Sequence, residues 1–180
     1  MSQAKPSNPQ ETLDQIKQAI TVDDEGMFIM LGKRIIITPQ ETLGNLMCSA
    51  ADLGGINLAK VFMRKAGYDI GMSMSKIMID VLKLAGNDLV TFYADTAGKR
   101  GWGFNVIEQI DGANGVFRCV LHHSPFVLGF KKKTATCVCD FQAGALEAMF
   151  HAAGFKDIQI VETQCVAKGD ESCVFENAGK

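Results

Sequence analysis

The chain has 180 residues, of which 47% are hydrophobic, so it is long and apolar enough to bury the core of one domain. Its formal net charge of −2, from 18 basic and 20 acidic residues, provides no basic surface for nucleic acid or an anionic membrane. The first residues are polar, and no stretch approaches the roughly 18 uncharged apolar residues of a membrane span, so we expect a cytoplasmic protein without one. In that reducing compartment the 6 cysteines are expected to be thiols or metal ligands.

The N-terminal part of the chain is predicted to contribute little to the core. Residues 1–25 are polar, which indicates a tail with one short helix over about residues 11–20. Residues 26–180 are predicted to form a single domain. This domain begins with two β-branched runs on either side of Gly32 and Lys33, a pattern typical of a hairpin that joins the main sheet.

A helical region follows the hairpin. Its start signal consists of an N-cap, a proline in the first turn and a capping-box carboxylate: Thr38, Pro39 and Glu41. The pair Gly54-Gly55 is expected to break or kink this helix. The sequence then predicts a second helix that stops at Gly67 and a third helix over residues 69–85.

The second half of the chain changes to strand patterns. After a short helix over residues 87–98, apolar residues alternate from Trp102 onward, and the turn DGANG leads into a second strand, which predicts an antiparallel pair. A helix over residues 140–153 and a hairpin made by the segments KDIQIVETQC and SCVFE complete the chain. The pattern predicts an α+β fold in which helices pack on an antiparallel sheet.

The closing hairpin carries a possible metal site. Glu162, Cys165 and Cys173 lie within twelve positions around a turn, and a structural zinc site requires four such ligands. The fourth is expected to be Cys139, because it directly precedes a helix whose N-terminal dipole stabilises a thiolate. Cys137 is the competing choice, and burial of the cysteines as small hydrophobic residues is the alternative to a metal site.

The segments CDFQAG at 139–144 and ETQCVAKGDESCVF at 162–175 resemble the signature of the 4-vinyl-reductase domain family, which is also described as hydrocarbon-binding. The resemblance extends over about residues 27–176. It implies a fold similar to the TRAPP vesicle-tethering subunits and a relationship to the phenol-sensing domains of sigma-54 activators. In those sensors one Zn²⁺ is held by three cysteines and a glutamate, which correspond here to four residues: Cys139, Glu162, Cys165 and Cys173.

Such a site stabilises the fold and does not catalyse a reaction. Three thiolates and one carboxylate fill the tetrahedral coordination of Zn²⁺ and leave no position for a water molecule. The metal is therefore expected to attach the last hairpin to the start of the last helix. We also find no nucleotide-binding motif and no cysteine or serine beside a convincing base, so the sequence favours a binding protein over an enzyme.

The ligand pocket is expected between the helices and the sheet. The family's histidine and tryptophan ligand contacts correspond, without gaps, to Val90 and Arg118, so neither is retained and phenol itself is not specifically indicated. Other aromatic, histidine and methionine side chains of the two halves are the candidate ligand contacts: Trp102, Phe104, His122, His123, Phe126, Met74 and Met78. Each of these residues also has a simpler explanation. The apolar residues would fill the core, and the histidines would be exposed to solvent at the end of a strand.

The resulting hypothesis is a small-molecule-binding or sensor domain for a hydrophobic or aromatic ligand, which forms a homodimer and signals to a partner protein whose identity is unknown. A carrier that delivers a tetrapyrrole for vinyl reduction is one alternative, because the family name derives from that pathway. A dimeric structural or adaptor module, like the vesicle-tethering subunits, is the other.

Overall fold

The computed structural model describes residues 8–30 and 32–178. The chain divides into a small N-terminal unit, Met1–Pro39, and a larger unit, Gln40–Lys180. The division falls after Pro39, later in the chain than the boundary predicted at residue 25.

The N-terminal unit consists of one helix and a small sheet. Helix α1 (Pro9–Ala19) begins after Asn8, whose side chain accepts a hydrogen bond from the Gln10 N–H at 3.0 Å. Its position agrees with the short helix predicted over residues 11–20. Three short strands follow in the order β1-β2-β3: β1 (Ile20–Val22), β2 (Phe28–Met30) and β3 (Lys33–Arg34).

The hairpin predicted around Gly32 is present, because β2 and β3 pair in antiparallel fashion. The prediction that this hairpin joins the main sheet was wrong. Strand β2 pairs with β1 on its other side, so both of its edges are filled within the small sheet. The apolar run after β3 does not extend the strand, and Ile36 remains 86% exposed.

The larger unit begins with the long helix α2 (Thr42–Leu82). Gly55, at φ 80° and ψ 164°, interrupts the helical backbone, which confirms the kink predicted at Gly54-Gly55. The start predicted at Thr38 was wrong, because the helix begins at Thr42 with Glu41 before it in helical geometry. Lys83, in the left-handed region at φ 57°, ends the helix.

The helix does not stop at Gly67 as predicted, because the glycines there allow close packing. A Cβ atom on Gly67 would lie 2.0 Å from the carbonyl oxygen of Phe141, and one on Gly71 would lie 2.7 Å from the Ala148 side chain. Phe141 and Ala148 belong to helix α5 (Asp140–Ala152), so the backbones of α2 and α5 approach closely at these positions. The two helices can pack this closely because Gly67 and Gly71 have no side chains.

The main sheet has four antiparallel strands in the order β4-β5-β7-β6. Strand β4 (Phe104–Asp111) and strand β5 (Val116–His122) form the predicted pair, with a bulge between Ile107 and Gln109. Strand β6 (Ile160–Gln164) and strand β7 (Cys173–Asn177) form the predicted closing hairpin, and β7 lies between β5 and β6. The α+β architecture with helices and antiparallel sheets is confirmed.

The core lies between this sheet and the helices. Helix α3 (Gly86–Ala97) occupies the segment predicted as a short helix, and a single turn, α4 (Pro125–Leu128), follows β5. Helix α5 agrees with the helix predicted over residues 140–153 and is buried along most of its length. Large side chains with no exposed surface fill the interior, among them Phe126, Phe150, Phe175, Met47, Leu89 and Leu146.

By length and composition alone, α2 is apolar enough to cross a membrane, with a mean hydropathy of 1.2 over its most apolar 18 residues. No such segment was expected from the sequence, because no stretch of it approaches 18 uncharged apolar residues. Only 17% of that window is buried within the structure. The buried face packs on α5, and the exposed face includes large apolar side chains.

Candidate functional site

Three structural elements bring the four predicted metal ligands together. Cys139 directly precedes α5, Glu162 lies on β6, Cys165 follows the end of β6, and Cys173 is the first residue of β7. One ligand atom from each of these residues lies within 4.8 Å of the others. The three cysteines are fully buried. We call these four residues the metal cluster.

The sulfur spacing fits a tetrahedral metal ion better than a disulfide bond. The Sγ atom of Cys173 lies 3.6 Å from Sγ of Cys139 and 3.9 Å from Sγ of Cys165. Zn–S bonds of about 2.3 Å at tetrahedral angles separate two sulfur atoms by roughly 3.8 Å. A disulfide would require about 2.05 Å. The three thiols therefore surround a space of the size that Zn²⁺ needs.

Glu162 provides a second test of whether a cation fits. Its Oε2 atom accepts a hydrogen bond from the Cys139 backbone N–H at 2.7 Å. Its Oε1 atom is buried and has no hydrogen-bond partner among the described residues. A buried carboxylate oxygen without a partner is costly, and a bound metal ion would satisfy it. The donor set of three sulfurs and one oxygen thus fits Zn²⁺, which would serve there as a structural ion.

The local sequence explains how the hairpin presents its ligands. Gly169 adopts φ 103°, which a residue with a Cβ atom rarely tolerates, and so allows the tight turn between β6 and β7. Within this turn, the Asp170 carboxylate accepts a hydrogen bond from the Cys165 N–H at 2.6 Å. Ser124, from the start of α4, places its Oγ 3.3 Å from Sγ of Cys139. The first contact holds the backbone of Cys165 in position, and the second holds the thiol of Cys139.

The protonation of the metal cluster is set by burial and by mutual hydrogen bonding. Burial, together with the charge of Cys165, raises the pKa of Glu162 to about 8. Burial also raises the pKa of Cys139 well above its usual range. The pKa of Cys165 is lowered because three neighbouring thiols donate hydrogen bonds to it: Cys137, Cys139 and Cys173. Burial and the contacts among the thiols therefore shift the pKa values of Cys139 and Cys165 in opposite directions.

Cys137, the competing ligand, lies beside the metal cluster but outside the set of four. Its side chain is half-buried, and interaction with the Cys165 thiol raises the pKa of Cys137 above its usual range. Its backbone carbonyl accepts a hydrogen bond from the Lys60 ammonium at 2.8 Å. The geometry therefore groups Cys139, and not Cys137, with the hairpin residues.

The predicted ligand contacts separate into three places. Trp102 and Phe126 lie in one aromatic cluster with Phe141, whose ring stacks on that of Trp102 at a centroid distance of 5.3 Å. Phe104 and His122 pair on the exposed side of β4 and β5, with ring centroids 6.4 Å apart. The remaining three lie elsewhere: His123 is exposed at φ 55°, Met74 is half-buried and Met78 is in the core.

Three residues at the contact between the sheet and α5 were not predicted from the sequence: Asn105, Phe141 and Gln142. Phe104 is 39% exposed, whereas Asn105 is only 5% exposed. Because side chains alternate between the two faces of a strand, the polar Asn105, and not the aromatic Phe104, faces the helices. Gln142, on α5, has no exposed surface and donates a hydrogen bond to the Asn105 side chain at 3.3 Å. Phe141 lies within the motif CDFQAG, two residues after Cys139. Its position in this motif could have been used to predict that it belongs to the aromatic cluster.

The surface also has an open groove of about 540 Å³ beside the α2 kink, lined in part by Ile56, Phe130 and the segment 132–136. The predicted ligand contacts do not line this groove. The position where the sequence predicts a ligand is instead the closed contact between the sheet and α5.

Comparison with known proteins agrees with the resemblance and with the fold. Residues 118–177 match the 4-vinyl-reductase domain. The resemblance predicted from the sequence motifs is thereby confirmed, and the matched segment contains all four residues of the metal cluster. A search of curated proteins found no match.

Solved structures extend the similarity beyond the matched segment. The phenol-responsive sensory domain of the transcription activator PoxR, crystallised with phenol, has a TM-score of 0.76 at 17% identity. The alignment covers 96% of this chain and 90% of that domain. A trafficking protein particle complex subunit 3 from Naegleria fowleri, covalently bound to palmitic acid, has a TM-score of 0.49 at 11% identity, with 76% and 92% covered. At 17% identity the comparison with the sensory domain establishes the fold.

Proposed function

We propose that this chain is a cytoplasmic small-molecule sensor domain for a hydrophobic or aromatic ligand, stabilised by a structural Zn²⁺ ion. The observation that carries the proposal is the aromatic cluster of Trp102, Phe126 and Phe141, which lies between sheet and helices in the fold of a phenol-responsive domain. Apolar and aromatic surfaces of this kind bind small molecules through burial of their apolar area. The match to the 4-vinyl-reductase domain supports the same assignment.

The proposed metal connects the hairpin to this cluster. Cys139 and Phe141 are two residues apart at the start of α5, so an ion held by Cys139, Cys165 and Cys173 fixes the segment that carries Phe141. Four protein ligands leave no coordination position for water, and the role of the ion is therefore structural. A bound structural zinc ion adds on the order of 10 kcal/mol to folding.

Native mass spectrometry of freshly purified protein tests the proposed function. We expect one zinc ion per chain and a retained apolar compound of low mass, because a closed thiolate site holds zinc tightly and a buried aromatic cluster retains its ligand. A retained, coloured tetrapyrrole would instead support the carrier alternative. A metal-loaded protein that never retains or binds any small apolar compound would contradict the sensor proposal.

We also propose that two copies of the chain associate through α2. Large apolar side chains next to its kink are exposed: Leu53 at 91%, Val61 at 67%, Leu58 at 58% and Phe62 at 56%. Monomeric soluble proteins rarely expose several such side chains side by side, and a second copy would cover them by a two-fold contact. A homodimer would also allow a ligand signal to pass to the partner protein through a change in self-association.

Replacing Phe62 with glutamate is expected to convert the dimer into a monomer, because a charge would have to be buried in the apolar contact. Size-exclusion chromatography with light scattering measures the change. Leu128→Glu is the matched control, since Leu128 is 60% exposed on α4 and not on α2. A parent protein that is monomeric at high concentration, or a Phe62→Glu variant that remains dimeric, would contradict this interface.

A further inference from the structure

The contact between β4 and α5 contains two buried amide side chains whose hydrogen bonds are incomplete. Asn105 is 5% exposed and Gln142 is fully buried. Gln142 donates through Nε2 to Oδ1 of Asn105 at 3.3 Å, and the Cys119 thiol lies 3.6 Å from the same oxygen. The Nδ2 group of Asn105 and the Oε1 atom of Gln142 have no partner among the described residues. We call these two residues the amide pair.

The amide pair leaves one donor and one acceptor free whichever way its amides are oriented. In the observed orientation the free groups are the Asn105 N–H and the Gln142 carbonyl oxygen. If both amides were rotated by half a turn, Asn105 would donate to Gln142, and again one donor and one acceptor would remain. Buried polar groups are rarely left without partners in folded proteins, so a further molecule is expected at this position.

The surroundings determine the chemistry of that molecule. Phe141 precedes Gln142 on α5, and Trp102 lies three residues before Asn105, so two of the three aromatic rings are carried by the same segments as the amide pair, while Phe126 comes from α4. Among the described residues, the side-chain hydrogen bonds of the amide pair run only to one another and to Cys119. Without a cationic partner, an anionic group would be buried at high cost in free energy.

We propose that the amide pair is the polar anchor of the ligand site, and that it selects an uncharged, mainly apolar ligand whose hydroxyl group both donates and accepts a hydrogen bond. The hydroxyl donates to the Gln142 carbonyl oxygen and accepts from the Asn105 N–H. The apolar body of the ligand packs against the aromatic cluster. This inference rests on the proposed sensor function and adds to it the recognition residues and the class of ligand.

Entry to this site requires the aromatic cluster to open. Trp102 is half-buried and lies between Gly101 and Gly103, both of which have positive φ angles, of 80° and 85°. Trp102 is also the only tryptophan of the chain. Its fluorescence therefore reports directly on a molecule that enters beside Phe141.

Three probes of similar shape separate the polar contact from the apolar contact: phenol, toluene and benzoate. Binding is followed by calorimetry and by Trp102 fluorescence. In the parent protein we expect phenol to bind about tenfold more tightly than toluene, which has no hydroxyl, and benzoate to bind least, because its charge has no partner. In Gln142→Leu and Asn105→Leu, phenol affinity is expected to fall by about tenfold while toluene affinity stays within about threefold.

Control variants distinguish a ligand contact from a structural one. Gln109→Leu makes the same change at an exposed position of β4 and is expected to leave all three affinities unchanged. Melting temperatures establish that each variant is folded. If the leucine variants do not fold, Gln142→Met and Asn105→Ser replace them, because these changes alter the hydrogen bonds with less change in shape.

The outcomes separate this inference from the proposed function. Equal affinity for phenol and toluene, or an equal loss of both in folded variants, would overturn the amide pair as anchor and leave the sensor function in place. A crystal structure with only an internal water on both amides in the presence of phenol would also overturn it. If none of the three probes binds to the parent protein, the amide pair is not the anchor of the ligand site. If, in addition, the purified protein retains no apolar compound, the proposed sensor function is wrong.

Discussion

Replacing Cys165 with serine is expected to release the zinc ion and to lower the melting temperature by roughly 10 °C or more. Cys165 is fully buried, and its sulfur atom lies 3.9 Å from Sγ of Cys173. Serine at this position would remove one of the four proposed zinc ligands. Loss of the metal removes several kcal/mol of folding energy, and each kcal/mol shifts the melting temperature of a domain of this size by about 2–4 °C. Elemental analysis and thermal unfolding measure the two effects.

Two other cysteine variants serve as controls for this prediction. Cys48→Ser changes a half-buried thiol of α2 that lies outside the metal cluster, and it is expected to retain one zinc per chain. Cys137→Ser is expected to retain zinc as well, because Cys137 is outside the set of four ligands. Loss of zinc from Cys137→Ser but not from Cys139→Ser would show that the ligand assignment is wrong. An unchanged metal content in Cys165→Ser would contradict the zinc site altogether.

Replacing Gly67 with alanine is expected to destabilise the larger unit by about 3 kcal/mol, although alanine favours an isolated helix. The added Cβ atom would lie 2.0 Å from the Phe141 carbonyl oxygen, and backbone atoms cannot yield as a flexible side chain does. Helix α2 would have to move away from α5. Chemical denaturation of the variant gives the change in the free energy of unfolding.

Gly144→Ala tests the same contact from the other helix, since its Cβ atom would lie 2.2 Å from the Arg64 carbonyl oxygen. Gly98→Ala is the control, because a Cβ atom on Gly98 would have its nearest contact at 3.4 Å, and the φ of −58° at Gly98 suits any residue. We expect the control to change stability by no more than about 0.5 kcal/mol. A Gly67→Ala variant as stable as the Gly98→Ala variant would show that the two helices do not approach as closely as described.

Local sequence signals predicted the elements of the second half well, because its strands and turns carry clear patterns. The turn DGANG connects β4 and β5, and the segment around Gly169 connects β6 and β7, as expected. The same reasoning failed at Gly67. A glycine that ends a helix and a glycine that admits a neighbouring backbone look alike in sequence, and only the position of Phe141 distinguishes them.

The proximity of the four residues of the metal cluster could be predicted, because these residues are few, chemically distinctive and placed at the ends of predictable elements. Three of them lie on one hairpin, and Cys139 was identified from the helix that follows it. The ligand site was harder to predict. The alternation of apolar and polar residues in β4 does not by itself show which face of the strand is buried. The aromatic residues predicted that the face of Phe104 would be buried, whereas in the structure the buried residue is Asn105.

The position of β6 has a consequence for the protein without its metal. β6 is an edge strand of the main sheet, with β7 as its one sheet neighbour among the described strands. Glu162 attaches this edge to the start of α5 by accepting from the Cys139 N–H, and the proposed metal would add a second attachment through Cys165. If chelation detached the hairpin, the edge of β6, where the Ile160 N–H now donates to Glu147 and the Ile160 carbonyl accepts from Arg64, would become available to other chains. Metal starvation would then lead to aggregation as well as to loss of stability, and zinc supply would limit how much soluble protein accumulates.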